Sequence, residues 1–258
     1  VILVKNNTMK NLVLAICLVV GGVLSGFSQA RFLGAGTIEY ERRINVHRQM
    51  EQENPEEQSD FWKEFMSKQP KFQNSYFNLS FNKDKGLYQP GREPDKKLEP
   101  WLLGPAKENI VLTDFTTKQL ISRRKVFEEN FIVTDSLDRL EWKISAETRE
   151  IAGFECRKAV AVISDSVYVV AFYTDEIPVS GGPESFGGLP GMILGLAVPR
   201  LYTTWFATKV EITEAPAAAF KINERGKKIA GSQVAKILQS TFTDWGKRGE
   251  KFVWWSLL

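Results

Sequence analysis

Histidine and cysteine are nearly absent from this chain of 258 residues, which holds one histidine, His47, and two cysteines, Cys17 and Cys156. A Ser-His-Asp triad would have to use His47, and the chain has no Gly-x-Ser-x-Gly turn to present a serine nucleophile. One histidine and so few thiols cannot form a tetrahedral zinc site without two carboxylates. The sequence therefore predicts no catalytic residue, no metal ligand and no cofactor.

A Cys156–His47 pair is the alternative that these residues leave open. A thiolate beside an imidazole can act as a nucleophile, and the two side chains can share a metal ion. We interpret Cys156 instead as a small core residue and His47 as a side chain at the end of a strand, because free cysteine is among the most buried residue types. The first hypothesis is a non-enzymatic binding protein, and the alternative is a thiol- or metal-dependent protein that uses Cys156 and His47.

A strong excess of charge of either sign is also missing. The chain has 34 Lys and Arg against 31 Asp and Glu, which gives a net charge of +3. Two of the lysines lie in the first thirty residues, which hold no acidic residue, so the remainder has 32 − 31, or +1. This balance offers no electrostatic basis for binding nucleic acid or an anionic membrane.

The apolar runs are too short for a membrane-spanning helix. The run at 12–24 has 13 residues, whereas a span needs about 18 or more. It follows Lys5 and Lys10 and precedes Ser28-Gln29-Ala30, whose small residues suit a signal-peptidase site. We therefore expect a signal peptide over 1–30, with Val1 or Met9 as the start, and a mature chain over 31–258 without a transmembrane segment. That mature protein would be exported, to the periplasm or the outer envelope.

Short apolar stretches separated by turn residues fill most of the remaining chain. The segment 36–46 alternates apolar and charged residues, as in a strand with one wet face, although Arg42 interrupts the apolar side. Similar stretches recur at about eight to twelve residues as far as 202–212, a spacing typical of antiparallel β domains. Helical spacing is confined to "FWKEFM" (61–66) and to a C-terminal extension from about 216, where Ser232 is a plausible N-cap. The sequence predicts one mainly β domain with one or two short helices and a C-terminal helix.

The stretch "FGGLPGMILGLAV" (186–198) concentrates glycine beside an apolar run. A phosphate loop would need Lys and Ser or Thr where Met192 and Ile193 stand. We interpret Leu189 to Met192 as a type II turn, with Pro190 setting φ and Gly191 at positive φ, followed by a strand in which Gly195 marks a bulge or a close contact. The motif Gly187, Gly188, Leu189, Pro190 and Gly191 is thus predicted to be structural, and no ligand-binding residue is assigned.

Four stretches together carry a family resemblance: "GTIEYERRINVH" (36–47), "IAGFECRKA" (151–159), "YTDEIPVSGGPES" (173–185) and "FGGLPGMILGL" (186–196). They resemble the GLPGLI family over about residues 34–215, with Met192 as the one departure from the six-letter motif. The resemblance implies an exported bacterial envelope protein without established activity. It also implies a single curved antiparallel sheet or half-barrel, like that of the periplasmic lipoprotein carriers. A hydrophobic ligand or an envelope protein would then be the partner on the curved sheet.

Overall fold

A computed structural model describes residues 33–258, except 55, 58, 95–104, 127–128, 138–139, 165–166, 214–218, 243 and 245. The predicted signal peptide, residues 1–30, and the predicted start of the C-terminal extension near 216 therefore lie outside the described residues.

The described elements, in chain order, are β1 (Gly36–Asn45), α1 (Val46–Glu53), α2 (Asp60–Lys68), β2 (Phe72–Phe81), β3 (Lys85–Pro90), a 3₁₀ turn (Pro105–Glu108), β4 (Ile110–Asp114), β5 (Gln119–Val126), β6 (Glu129–Ser136), β7 (Lys143–Ile151), β8 (Phe154–Ser164), β9 (Val167–Thr174), β10 (Met192–Val198), a 3₁₀ turn (Pro199–Leu201), β11 (Thr203–Glu211), β12 (Lys227–Ala230), α3 (Gly231–Thr241) and α4 (Gly246–Trp255).

The described strands form one sheet in the order β12-β6-β5-β4-β3-β2-β1-β11-β10-β9-β8-β7. The sheet is open, with β12 and β7 at its two ends, so the mainly β, single-sheet prediction is confirmed. All neighbouring pairs are antiparallel except β12 and β6, which run parallel. The antiparallel prediction therefore fails at that edge. The long connection after β11 allows this, because β12 is not tied to its partner by a hairpin turn.

The helices differ in number from the prediction. The segment 61–66 lies in α2 as expected, and Ser59 caps that helix by accepting the Trp62 backbone N–H at 3.2 Å. The preceding helix α1 was not predicted. The C-terminal region holds two described helices rather than one, and α3 starts after Ala230 without a side-chain cap, so Ser232 is not its N-cap.

The sheet is curved around its main core. In a flat sheet, β6 and β7 would lie ten strand spacings apart, or about 48 Å. Yet β7 begins only seven residues after β6 ends, and seven residues of chain span at most about 25 Å. Across the core, the Tyr88 hydroxyl on β3 lies 3.3 Å from Glu184 Oε1, in the connection that leaves β9. That connection, residues 175–191, is here called the motif loop. It lies across the concave face of the sheet and covers much of the core.

The buried apolar side chains fall into three groups. The main cluster lies on the concave face and under the motif loop, and it includes Trp205 and Trp255. A second cluster of six described residues joins β6 to α3 and α4: Phe131, Val133, Val234, Leu238, Phe242 and Val253. A third joins α1 to α2. The second cluster thus forms a separate layer at the β12 end of the sheet.

Candidate functional site

The motif loop is held by backbone hydrogen bonds rather than by a type II turn. Gly191 N–H donates to the Leu189 carbonyl at 2.8 Å, which closes a three-residue γ-turn centred on Pro190. Met192 N–H donates to the Ile177 carbonyl at 3.0 Å instead of to Leu189. The predicted type II turn at Leu189–Met192 is therefore wrong, because Gly191 has φ of +158° instead of about +80° and the donor that would close the turn is used across the loop.

The motif glycines confirm part of the prediction, because Gly191 has a positive φ of +158° as expected. Gly188 has the left-handed φ of +86°, which favours glycine. Gly191 is buried, and a Cβ atom there would collide with the carbonyl oxygen of Thr174 at the end of β9. Glycine is needed at 191 for this close approach. Gly195 interrupts the register between β9 and β10, and its Cβ would lie 2.7 Å from Ile151 Cδ1, so the predicted bulge and close contact are both confirmed.

Glu184, which belongs to the motif loop, is the centre of a hydrogen-bonded cluster of buried polar side chains. Its carboxylate accepts hydrogen bonds from the Tyr88 hydroxyl at 3.3 Å and from Asn109 Nδ2 at 3.0 Å. Burial raises the pKa of Glu184, and Arg42, Asn109 and Arg124 oppose that shift. Glu184 also has φ of +54°. A residue other than glycine in this conformation is strained, which indicates that the surrounding contacts hold it in place.

Arg42 is the residue that interrupts the apolar face of β1, and it is fully buried. Its Nε donates to Ser75 Oγ at 3.0 Å, and its Nη1 donates to the Ala106 carbonyl at 2.7 Å. The guanidinium lies 4.8 Å from the Phe77 ring centre and 5.5 Å from that of Trp255. Nη2 is buried without a hydrogen-bond partner among the described residues.

Arg124 on β5 is the second buried arginine, with 4% of its surface exposed. Its Nε donates to Ser122 Oγ at 2.9 Å, Nη1 donates to the Ser256 backbone oxygen, and Nη2 donates to the Leu258 backbone oxygen at 3.2 Å. Ser185 in the motif loop also donates its hydroxyl to Leu258. Residues 246–258, here called the C-terminal segment, are therefore fastened to both β5 and the motif loop.

A cleft opens beside Arg124, between the β6–β12 edge and α3. We call it the α3 cleft. It encloses about 250 Å³ of empty space, counting the part that is open to solvent. Its lining is Arg124, Phe131, Val133, Ile229, Val234, Ile237, Leu238 and Ser256. Six of these eight residues are apolar, and Arg124 is the one ionisable group among them. The cleft combines an apolar wall with one buried cation.

The two thiol-or-metal candidates have separate surroundings in the structure. Cys156 is buried on β8, with Sγ 3.5 Å from the Phe154 carbonyl. Burial, together with Glu176 and Glu155, raises the pKa of its thiol to about 12. His47 lies in α1, and its Nε2 is 3.0 Å from the Gln69 carbonyl. Within the described part of the chain, no group of three or more His, Cys, Asp or Glu side chains is placed to hold a metal ion.

None of the helices among the described residues is both long enough and apolar enough to cross a membrane.

Sequence reasoning missed Glu184, Arg124 and the α3 cleft. Arg42 did leave a signal, because it stands on the apolar side of an alternating strand. Arg124 also lies on the buried face of its strand, β5, but Arg123 and Lys125 flank it, so the sequence does not show which charged residue faces inward. Glu184 lies in a glycine-rich loop without periodicity, where no pattern distinguishes an inward carboxylate from a solvated one.

Residues 161–195 match the model of a family described as "Protein of unknown function (Porph_ging)". The match covers the end of β8, β9, the motif loop and the first part of β10. No curated protein matches the chain.

Several solved structures resemble the fold. One structure of PNGF-II has a TM-score of 0.50 and 18% identity, covering 83% of this chain and 34% of that one. A second has a TM-score of 0.49 and 17% identity, covering 86% and 33%. A LolA superfamily protein from Nitrosomonas europaea has a TM-score of 0.30 and 7% identity, covering 75% and 93%. This chain thus spans about a third of the length of PNGF-II, and at 18% identity that likeness is one of fold alone.

Proposed function

We propose that this chain is a non-catalytic, exported envelope protein of the GLPGLI family that binds an apolar ligand in the α3 cleft. In this proposal, residues 1–30 are a cleaved signal peptide. Residues 31–258 form one β-rich domain with a C-terminal helical extension, in the periplasm or at the outer envelope. The match over residues 161–195 supports the assignment to this family, and the envelope location rests on the family resemblance alone.

The observation that carries the binding proposal is the α3 cleft itself. Ligand sites are concave and mostly apolar, with a few placed polar groups, and the lining of this cleft has that composition. The 250 Å³ includes open solvent, and the cavity itself measures about 10 Å³, the room of about one water molecule, against the ~300–1,000 Å³ typical of drug-sized ligands. We therefore expect α3 to move outward when a ligand enters.

The concave face of the sheet is a less suitable site than the sequence suggested. The motif loop covers it, and Trp255 packs there against Trp205 with ring centres 6.3 Å apart. A hydrophobic ligand or a protein partner on this face would have to displace these residues and cover Arg42 in their place. Displacing the motif loop takes Glu184 away from Arg42, and a buried charge that loses its charged partner is strongly destabilising. We therefore place the ligand at the β12 end of the sheet.

The surroundings of Cys156 and His47 support a non-catalytic role. A thiol whose pKa is about 12 is protonated at neutral pH, so it is a poor nucleophile and a poor metal ligand. The neighbours of Cys156 that shift this pKa are carboxylates, which disfavour the thiolate further. The thiol- or metal-dependent alternative gains no supporting contact here.

Binding of a neutral fluorescent probe, N-phenyl-1-naphthylamine, tests the proposal. Ile237→Glu puts a charge into the half-buried lining of the cleft, and Ile144→Glu makes the same change on the exposed strand β7. We expect saturable binding by the wild type, a loss of roughly tenfold or more in Ile237→Glu, and wild-type binding in Ile144→Glu. A wild type that does not bind, or equal binding by both variants, would refute the cleft as a ligand site.

A further inference from the structure

We propose that one end of the sheet docks on an anionic lipid surface through an arc of exposed apolar side chains. The arc, here called the apolar rim, consists of Phe72, Ile144, Val162, Tyr168 and Tyr202. These are five of the seven large apolar side chains that are exposed among the described residues. The inference goes beyond the proposed function, because the rim shares no residue with the lining of the α3 cleft.

The strand register brings the five residues of the apolar rim to the same end of the sheet. Phe72, the first residue of β2, is paired with the last residue of β1. The backbone N–H of that same β1 residue donates to the Tyr202 carbonyl at 2.9 Å. Val162 and Tyr168 are direct partners in the β8–β9 hairpin, and Ile144 is the second residue of β7, which starts beside the end of β8. The rim therefore runs across the sheet from β2 to β7.

The concentration of these side chains at one end is what calls for a partner. Single exposed apolar residues are normal on soluble proteins, whereas their accumulation in one place marks an interaction surface. Of the other two exposed ones, Ile212 follows β11 at the opposite end of the sheet, and Phe61 on α2 adjoins the acidic stretch 51–60 and is not counted in the rim. The members of the rim come from separate strands and turns, so they suit separate insertion into a lipid interface better than the binding of one peptide in a groove.

The charges beside the apolar rim favour an anionic surface. The cations that flank it are Lys71, Lys143 and Arg200, each within two residues of a rim member. All three are exposed, and none forms an ion pair within the described part of the chain. Glu141, an exposed carboxylate two residues before Lys143, offsets part of this charge. Because the whole chain is nearly neutral, the attraction is local to this end, where anionic head groups would pair with the free cations.

Aromatic side chains and cations lie together at the rim in the way typical of membrane-interface anchors. The Lys71 ammonium is 5.6 Å from the centre of the Phe72 ring, and the Arg200 guanidinium is 4.7 Å from that of Trp254. In such an arrangement the ring enters the boundary between head groups and acyl chains, while the cation stays at the level of the phosphates.

Flotation with lipid vesicles tests the proposal. Vesicles of phosphatidylcholine and phosphatidylglycerol in roughly equal parts carry a negative surface charge, and vesicles of phosphatidylcholine alone do not. We expect the full chain to float with the mixed vesicles and to bind the neutral ones roughly fivefold or more weakly. High salt should reduce binding to the mixed vesicles, because it screens the local attraction.

Variants at the two ends of the sheet form matched pairs. Val162→Ser combined with Tyr168→Ser removes two adjacent apolar side chains and should weaken binding to the mixed vesicles roughly tenfold or more. Ile212→Ser is the control and should bind like the wild type, since Ile212 is 59% exposed, compared with 62% for Val162, but lies at the other end. Lys71→Gln should weaken binding roughly fivefold, whereas Lys83→Gln, in the β2–β3 turn at the other end, should not.

Each outcome supports or overturns the proposal. A wild type that does not bind the mixed vesicles, or equal losses in the rim and control variants, would overturn it. A wild type that dimerises in sedimentation velocity, together with a monomeric Val162→Ser/Tyr168→Ser variant, would assign the rim to contact between two copies and overturn it as well. If that double variant fails to fold, Phe72→Ser compared with Ile212→Ser decides. Binding of the naphthylamine probe does not involve the rim, so failure here leaves the proposed function standing.

Discussion

The motif loop and α3 cover the same sheet in different ways. Under the motif loop, backbone hydrogen bonds, a glycine packed against Thr174 and the network around Glu184 tie the loop to strands from β3 to β10. Under α3, six described apolar residues form a separate cluster beside a cleft. Loops and layers with fewer buried contacts open at lower free energy. The glycine-rich motif, the most conspicuous part of the sequence, therefore builds the more rigid region. The proposed binding site lies instead in the layer under α3, which carries no sequence motif.

Removing one large side chain from each region should give the largest difference. Trp255→Ala empties a buried place between Trp205 and Arg42, and we expect a loss of about 4 kcal/mol in the free energy of unfolding. Leu238→Ala in the second cluster should cost about 2 kcal/mol, because the adjacent cleft lets the site relax. Urea denaturation measures both. Equal losses would show that the two regions are equally well packed.

Adding a methyl group to the motif should be the next largest effect. Gly191→Ala brings a Cβ atom against the carbonyl of Thr174, and relieving that collision requires a backbone shift. We expect a loss of about 3 kcal/mol, seen as a lower Tm. Gly34→Ala is the matched control, because a Cβ atom there has no neighbour within 4 Å. A wild-type Tm in Gly191→Ala would mean that the loop is not fixed at this point.

Cys156 tests whether β8 belongs to the rigid region. Its thiol should react with a maleimide only when the protein unfolds, because the side chain is buried and its pKa is raised to about 12. Cys156→Ala should cost about 1 kcal/mol and leave binding of the naphthylamine probe unchanged. Rapid labelling of the native protein at neutral pH would instead support the thiol-dependent alternative.

The pH dependence of stability should show the smallest effect. Burial raises the pKa of Glu184 above its ordinary value of 4.5, so the folded protein holds this proton more tightly than the unfolded chain. The stability from this group is complete below that value and is lost as the pH rises through the raised pKa. Glu184→Gln cannot ionise, so its Tm should fall less than that of the wild type as the pH rises from 4.5 towards neutrality. The exposed Glu150→Gln should keep the wild-type profile, and identical profiles for all three proteins would contradict this role of Glu184.

The sequence was most informative where structure depends on near neighbours. Alternation in β1 predicted a strand at its observed place, and Gly195 predicted an irregularity that is present. The motif was correctly expected at a sharp bend. The positive φ of Gly191 was predicted, but its close approach to Thr174 was not, because Thr174 lies 17 residues away in the sequence.

The candidate site could not be predicted, because its parts meet only in the folded chain. Arg124 comes from β5, Ile229 from β12 and Leu238 from α3. The parallel pairing of β12 with β6 brings these elements together, and hydrophobic periodicity does not specify pairing between distant strands. The same limit hid Glu184, whose partners Tyr88 and Asn109 belong to other parts of the sheet.

Amide hydrogen exchange, followed by mass spectrometry with and without N-phenyl-1-naphthylamine, tests the central claim most directly. Amides of α3 should exchange by local opening well before those of β10 and β11, and the naphthylamine probe should slow exchange in α3 selectively. Exchange of α3 together with β10 and β11 in one cooperative step, with or without the ligand, would contradict it. The molecule would then be a single rigid unit, without a separate layer able to admit a ligand.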